Sequence, residues 1–171
     1  MRLAPVALRW ASDPERAISA ARAQSVATHG APAAVEGCAL LAEILVEAIG
    51  TGDRGAALRS RPAGDASIAA IAAGSWRGKE RNNISSSGYI VHTLEAGLWC
   101  VDRSSGFADA VLLAANLGDD ADTVAAVTGQ IAGALWGQNA IPRHWLERLA
   151  WREKIGRMAS RLSTLSREVV P

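Results

Sequence analysis

The run at 117–137, LGDDADTVAAVTGQIAGALWG, sets Asp119, Asp120, Asp122 and Thr123 between two strongly apolar segments. One acidic residue before a helix is ordinary, because the free amides and the dipole of a helix N-terminus favour a capping oxygen and negative charge. Three carboxylates within four positions repel one another unless a cation holds them. Hard divalent ions such as Mg2+ take oxygen ligands of this kind and complete their shell with water. Asp120, Asp122 and the Thr123 hydroxyl can converge on one such ion. A calcium EF-hand is excluded: counted from Asp119 or Asp120, the sixth position holds no glycine and the twelfth is Gln130 or Ile131. On residue chemistry alone, a metal site and an over-charged helix cap both remain open.

The other reactive side chains are scattered. His92 and Glu95 share a helix face without zinc-protease spacing and read as structural. Cys38 and Cys100 lie inside apolar patterns, with no second cysteine at zinc-site spacing, and read as free, buried, inert thiols in a reducing cytoplasm.

The elements that must position these residues read as helices. The 171 residues include 8 aromatics and are 49% hydrophobic, and about one in five is alanine, a balance that favours close-packed helices over sheet. The class expected is all-α. The net charge of +1 with this apolar content excludes a disordered chain. The start MRLAPVALRW is too short in apolar residues for an export signal, and no run reaches the ~20 residues of a membrane span. A soluble, cytoplasmic protein is expected, with no membrane partner.

Along the chain, Asp13 and Pro14 open a helix that stops near Gly30, and Pro32 opens another, with Val35, Leu41, Leu45 and Ile49 on a buried face, that ends at Gly50–Asp53. Residues 53–65 read as loop, 66–74 as a short helix, and WRGKERNNISSSG as a surface loop. Three apolar helices follow Gly88, and the third, rich in small residues from Ala125 to Ala134, is expected at the centre. Pro142 opens one last helix with Leu149, Met158, Leu162 and Leu165 on a stripe. From Arg143 to Glu168 there are 7 Lys or Arg against 3 Glu, read as a solvated basic face rather than a nucleic-acid site.

Four stretches in order resemble the ADP-ribosylglycohydrolase family: MRLAPVAL, SVATH at 25–29, SSGYIVHTLEAGLWC, and FADAVLLAANLGDDADTVAAVTGQIAGALWG followed by IPRHWL. The resemblance covers most of residues 1–149, with 150–171 as the end of the last amphipathic helix and a tail. It implies a compact all-α domain with two Mg2+ ions, Mn2+ in some members, that hydrolyses the bond joining ADP-ribose to a protein side chain or a small leaving group. It also implies metal ligands at Asp120, Asp122 and Thr123, with Asp119 outside the shell. His29 then contacts ADP-ribose, against the alternative of a histidine capping carbonyls at a helix end. Gly88, Tyr89 and Ile90 line the adenosine side, where a tyrosine face suits a purine, although Tyr89 taken alone fits a core position as well.

Members of that family run to nearly twice this length, and their glycine-rich phosphate loop ends in the equivalents of Met1 and Arg2. The expectation is a C-terminal half with half a metal site, lacking the family's catalytic acidic residue and inactive alone unless a partner chain supplies the rest. A non-catalytic ADP-ribose-binding or assembly module is the alternative expectation.

Overall fold

The computed structural model describes residues 2–167. Among them are ten α-helices and no strand: α1 (Ala4–Arg9), α2 (Pro14–Val26), α3 (Pro32–Thr51), α4 (Arg54–Ala57), α5 (Ala66–Ala73), α6 (Ile90–Arg103), α7 (Phe107–Ala115), α8 (Ala121–Trp136), α9 (Arg143–Arg148) and α10 (Arg152–Arg167). The all-α expectation holds. No helix is long and apolar enough to cross a membrane.

Local signals start the early helices as expected. The Asp13 carboxylate accepts from the Arg16 amide at 3.1 Å with Pro14 at the first helical position, and Pro32 takes that position in α3, where Ala31 supplies no side-chain cap. The helix that begins at Pro14 ends at Val26, a few residues short of Gly30.

The centre of the fold is α3, not α8. Helix α3 packs on α1, α2, α4, α5, α6 and α8, whereas α8 packs chiefly on α6, α7 and α3. The small residues of α8 allow close approach, but Ala126 is exposed and most of the others are only half-buried. By contrast Leu40, Leu41, Ile44, Leu45 and Val46 of α3 are all buried, so that helix is apolar nearly all round. Helix α6 lies between the two. Its Ile90 presses on Gly37 of α3, where an added Cβ would stand 2.8 Å from Ile90 Cγ1, and its Gly97 lies against Val127 and Thr128 of α8.

The two expected surface loops are tied into the core. In 53–65 the chain forms the single turn α4, capped by Asp53. Behind it the Arg61 side chain, 1% exposed, donates to the Ala57 carbonyl at 2.7 Å and pairs with Glu43 and Glu47 of α3 at 3.3 and 3.2 Å. Burial pulls the Arg61 guanidinium below its ordinary range against the opposing pull of those two carboxylates. In the polar stretch, Trp76 is buried with its Nε1–H donated to the Ile71 carbonyl at 3.1 Å, and Ile84 is buried too. Lys79 pairs with Glu95 at 2.8 Å, and the Lys79 carbonyl accepts from Trp99 Nε1 and Arg103 Nη2, both at 2.8 Å. Polar residues here serve buried carbonyls, which composition does not reveal.

The expected last helix is two helices, broken at Leu149–Trp151, where Trp151 takes a left-handed φ of 57°. No glycine or proline marks that break. Helix α10 packs on α1, where Arg9 Nη1 donates to the Leu165 carbonyl at 3.2 Å, and Ser166 accepts from the Ser12 hydroxyl and amide in the turn after α1. Leu149, Met158 and Leu165 of the expected stripe are exposed, and Leu162 is half-buried.

Replacing Arg61 by Met takes from Glu43 and Glu47 their buried cation and leaves only the more exposed Arg59, at 3.8 and 3.1 Å. Because those carboxylates are 29% and 23% exposed, the loss in urea unfolding should be about 2 kcal/mol, short of the value for a fully buried pair. A loss under about 0.5 kcal/mol would show that solvent already screens the site. Burial pushes the Cys100 thiol up to about 12, while Cys38 is only half-buried. Iodoacetamide at pH 8 should therefore label Cys38 in the native state and Cys100 only on unfolding, since alkylation requires the thiolate. Equal native rates would contradict this.

Candidate functional site

The turn from α7 into α8 is built by Gly118 and Asp119, both left-handed at φ 79° and 53°. Asp119 is exposed and accepts the unusual conformation because short polar side chains tolerate it. Asp120 then occupies the N-cap position of α8, but its carboxylate accepts no capping hydrogen bond. Only its backbone carbonyl engages the helix, accepting from Val124 N at 3.1 Å. The over-charged cap is therefore an incomplete explanation for Asp120. Asp122 and Thr123 follow in the first turn, the first exposed and the second half-buried. Negative charge at Asp122 complements the helix dipole.

Residues 85–89 lie against this turn. The Asp120 amide donates to the Ser86 carbonyl at 3.1 Å, and the Ser86 hydroxyl donates to the Gly118 carbonyl at 3.1 Å. Gly88 faces the Asp120 carboxylate so closely that a Cβ would collide with Oδ2. A side chain at this position would make the Asp120 carboxylate turn aside. Tyr89 is 52% exposed and stands edge-on to His92, with centroids 5.3 Å apart. Ile90 turns the other way, half-buried against Gly37.

Thus Gly88, Tyr89 and Asp120 are brought together, with Asp122 and Thr123 on the same helical turn. His29 is apart from them: its exposed ring has Nδ1 at 2.9 Å from the Thr28 hydroxyl, and no hydrogen bond or ion pair among the described residues joins it to the cluster. Its amide, not its ring, closes the end of α2 by donating to the Ser25 carbonyl at 2.6 Å. The Arg2 carbonyl accepts from Gln24 Nε2 at 3.2 Å, and the Ala4 amide donates to Gln130 Oε1 at 2.8 Å, which ties the chain start to α2 and α8. Met1 lies outside the described residues.

His92 is structural, as expected: its Nδ1 meets the Ser87 hydroxyl at 2.7 Å and the Ser85 hydroxyl at 3.1 Å. The signal available was the run of three serines five to seven residues before it. Glu95 is structural, held by Lys79 and by Ser75.

Among the described residues no three His, Cys, Asp or Glu side chains are grouped to hold a metal ion. What the turn offers a cation is two carboxylates and a hydroxyl. These are hard oxygen donors that suit Mg2+ as part of a shell, with further ligands from water or from elsewhere.

The profile of the ADP-ribosylglycohydrolase family matches residues 1–170. The chain is 41% identical over 169 residues to the ADP-ribosylarginine hydrolase Tri1 of Serratia proteamaculans (strain 568), covering 98% of this chain and 46% of the relative. It is 47% identical over 146 residues to the protein of the same name from Pseudomonas putida (strain GB-1), covering 81% and 38%. A solved ADP-ribosylglycohydrolase-related protein complex superposes with a TM-score of 0.88 at 37% identity, over 97% of this chain and 59% of that one. The chain spans less than half the length of these curated relatives. With its helical architecture and the DDADT turn set against a serine and glycine loop, the chain belongs to the ADP-ribosylglycohydrolase family.

Proposed function

We propose that this chain supplies one side of the active site of an ADP-ribosylarginine hydrolase. Asp120, Asp122 and Thr123 are its ligands for Mg2+, and Mn2+ satisfies the same oxygen donors. The observation that carries this reading is the Asp120 carboxylate, placed at a helix N-cap without a capping hydrogen bond and lying directly against Gly88. The linkage comes from the two relatives at 41% and 47% identity, both ADP-ribosylarginine hydrolases. A bound Mg2+ pair supplies an activated water and a positive anchor for the ribose hydroxyls.

This chain's own residues bind and orient. The exposed Tyr89 ring offers a flat face to adenine. His29, with Nδ1 engaged by Thr28, leaves Nε2 for an ADP-ribose oxygen. Met1 and Arg2 end the segment that grips the diphosphate, and Gly88 and Ile90 border the adenosine. The reaction breaks the bond from the anomeric carbon to the guanidine nitrogen. The water oxygen takes that position on the sugar, its proton leaves with the guanidine, and ADP-ribose and arginine are released.

The remaining ligands and the acidic residue that manages the proton belong to the rest of the domain, whether on this polypeptide or on a partner chain. The setting assigned is cytoplasmic, in keeping with two free thiols. Because the chain covers 46% of the Serratia relative, a non-catalytic module that binds ADP-ribose is the second reading.

A chimera separates the two. With this chain replacing the matching part of the Serratia hydrolase, Mg2+-dependent release of ADP-ribose from ADP-ribosylarginine should appear. Asp120→Ala or Asp122→Ala should lower it at least about 100-fold, and Asp119→Gly should change it by less than about threefold. Undiminished activity in either of the first two variants would put the metal elsewhere. Calorimetric binding of ADP-ribose by a chimera that releases none would favour the module.

A further inference from the structure

The serine loop is held from one side by α6 and presses from the other on Asp120. His92, in the first turn of α6, receives both Ser87 and Ser85 on one ring nitrogen, at 2.7 and 3.1 Å. Next to it the Thr93 hydroxyl donates to the Ser87 and Tyr89 carbonyls, each at 3.2 Å. Between the two serines that His92 engages lies Ser86, buried, with its hydroxyl on the Gly118 carbonyl and its own carbonyl on the Asp120 amide. The outer two serines thus share His92 as their anchor, and the middle one carries the contact to the acidic turn. We infer that His92 is a positioning residue: by fixing Ser85 and Ser87 it sets the Ser86 carbonyl and the Gly88 backbone against Asp120, and so fixes where the Asp120 carboxylate stands.

The geometry exceeds what loop closure needs. Residues 85–89 are already fastened to α6 through Thr93, and the Tyr89 ring rests edge-on against the His92 ring. Two hydroxyls on Nδ1 add a constraint whose output is the register of Ser86. With the proton on Nε2, Nδ1 accepts from the Ser87 hydroxyl, a bond that alanine at 92 abolishes and an asparagine amide, with an acceptor near the same place, can replace. What Asp120 then does rests on the metal reading above, so the decisive measurement does not involve a metal.

Amide hydrogen exchange by NMR on the whole chain reads the Asp120 N–H, whose acceptor is the Ser86 carbonyl. His92→Ala and Ser87→Ala should each speed Asp120 exchange at least about tenfold, with Leu45 and Val101 in the core unchanged. His92→Asn should restore most of the protection, and the His92→Ala, Ser87→Ala double variant should be no faster than either single one, as two residues acting through one bond require. Unchanged Asp120 exchange in both single variants would overturn the inference, as would faster exchange spread equally through the core or additive effects in the double variant. Titration with Mn2+ alone, read as line broadening at Asp120 and Asp122, gives a separate result. If the wild-type chain shows none, the metal reading falls, while the exchange data still decide the role of His92.

Discussion

The close approach of α6 to its neighbours is the constraint on which the site depends. Gly37 leaves a notch in α3 for Ile90, and Gly97 lets α6 settle against Val127 and Thr128 of α8. Those contacts hold α6 at a fixed height between two helices. Its N-terminus, with Tyr89, His92 and Thr93, then has one place to stand, and the N-terminus of α8 comes to the same edge. The serine loop spans the gap through the Ser86 hydroxyl on the Gly118 carbonyl and the Ser86 carbonyl on the Asp120 amide. A side chain added at Gly37 or Gly88 would displace one partner of this junction, because interiors packed to this density absorb little extra volume.

Much of this was legible in the sequence where the physics is local. Asp13 with Pro14, and Pro32, mark helix starts because capping and a fixed φ act within a turn. The crowding of Asp119, Asp120 and Asp122 flagged the acidic turn without any knowledge of the fold. The illegible parts were long-range. Arg61 organises 53–65 by reaching carbonyls of α4 and carboxylates of α3, and Trp76 and Ile84 sink a stretch whose composition reads as solvent-exposed. The small residues of α8 suggested a central helix, but buried large side chains, not small ones, identify α3 as the hub. His92 reads correctly as structural because its serines are close in sequence, whereas the contact of that loop with Asp120 on α8 is long-range.

The family and the fold are secure, and the helices of this chain repeat those of the solved complex closely. The chain aligns with 46% and 38% of the length of the two curated relatives. A reading in which Asp120, Asp122 and Thr123 form one side of a shared site accounts for two features at once. It explains why no complete group of metal-binding side chains is present among the described residues, and why Asp120 is held firmly by its backbone while its carboxylate is left uncommitted to the helix.

The most direct measurement is an anomalous diffraction map from crystals of the chain, or of its chimera with the Serratia hydrolase, grown with Mn2+. A site of the kind described places a peak within about 2.0–2.3 Å of carboxylate oxygens from both Asp120 and Asp122. A saturated crystal with no peak at that turn, or with its strongest peak held by other residues, would contradict it.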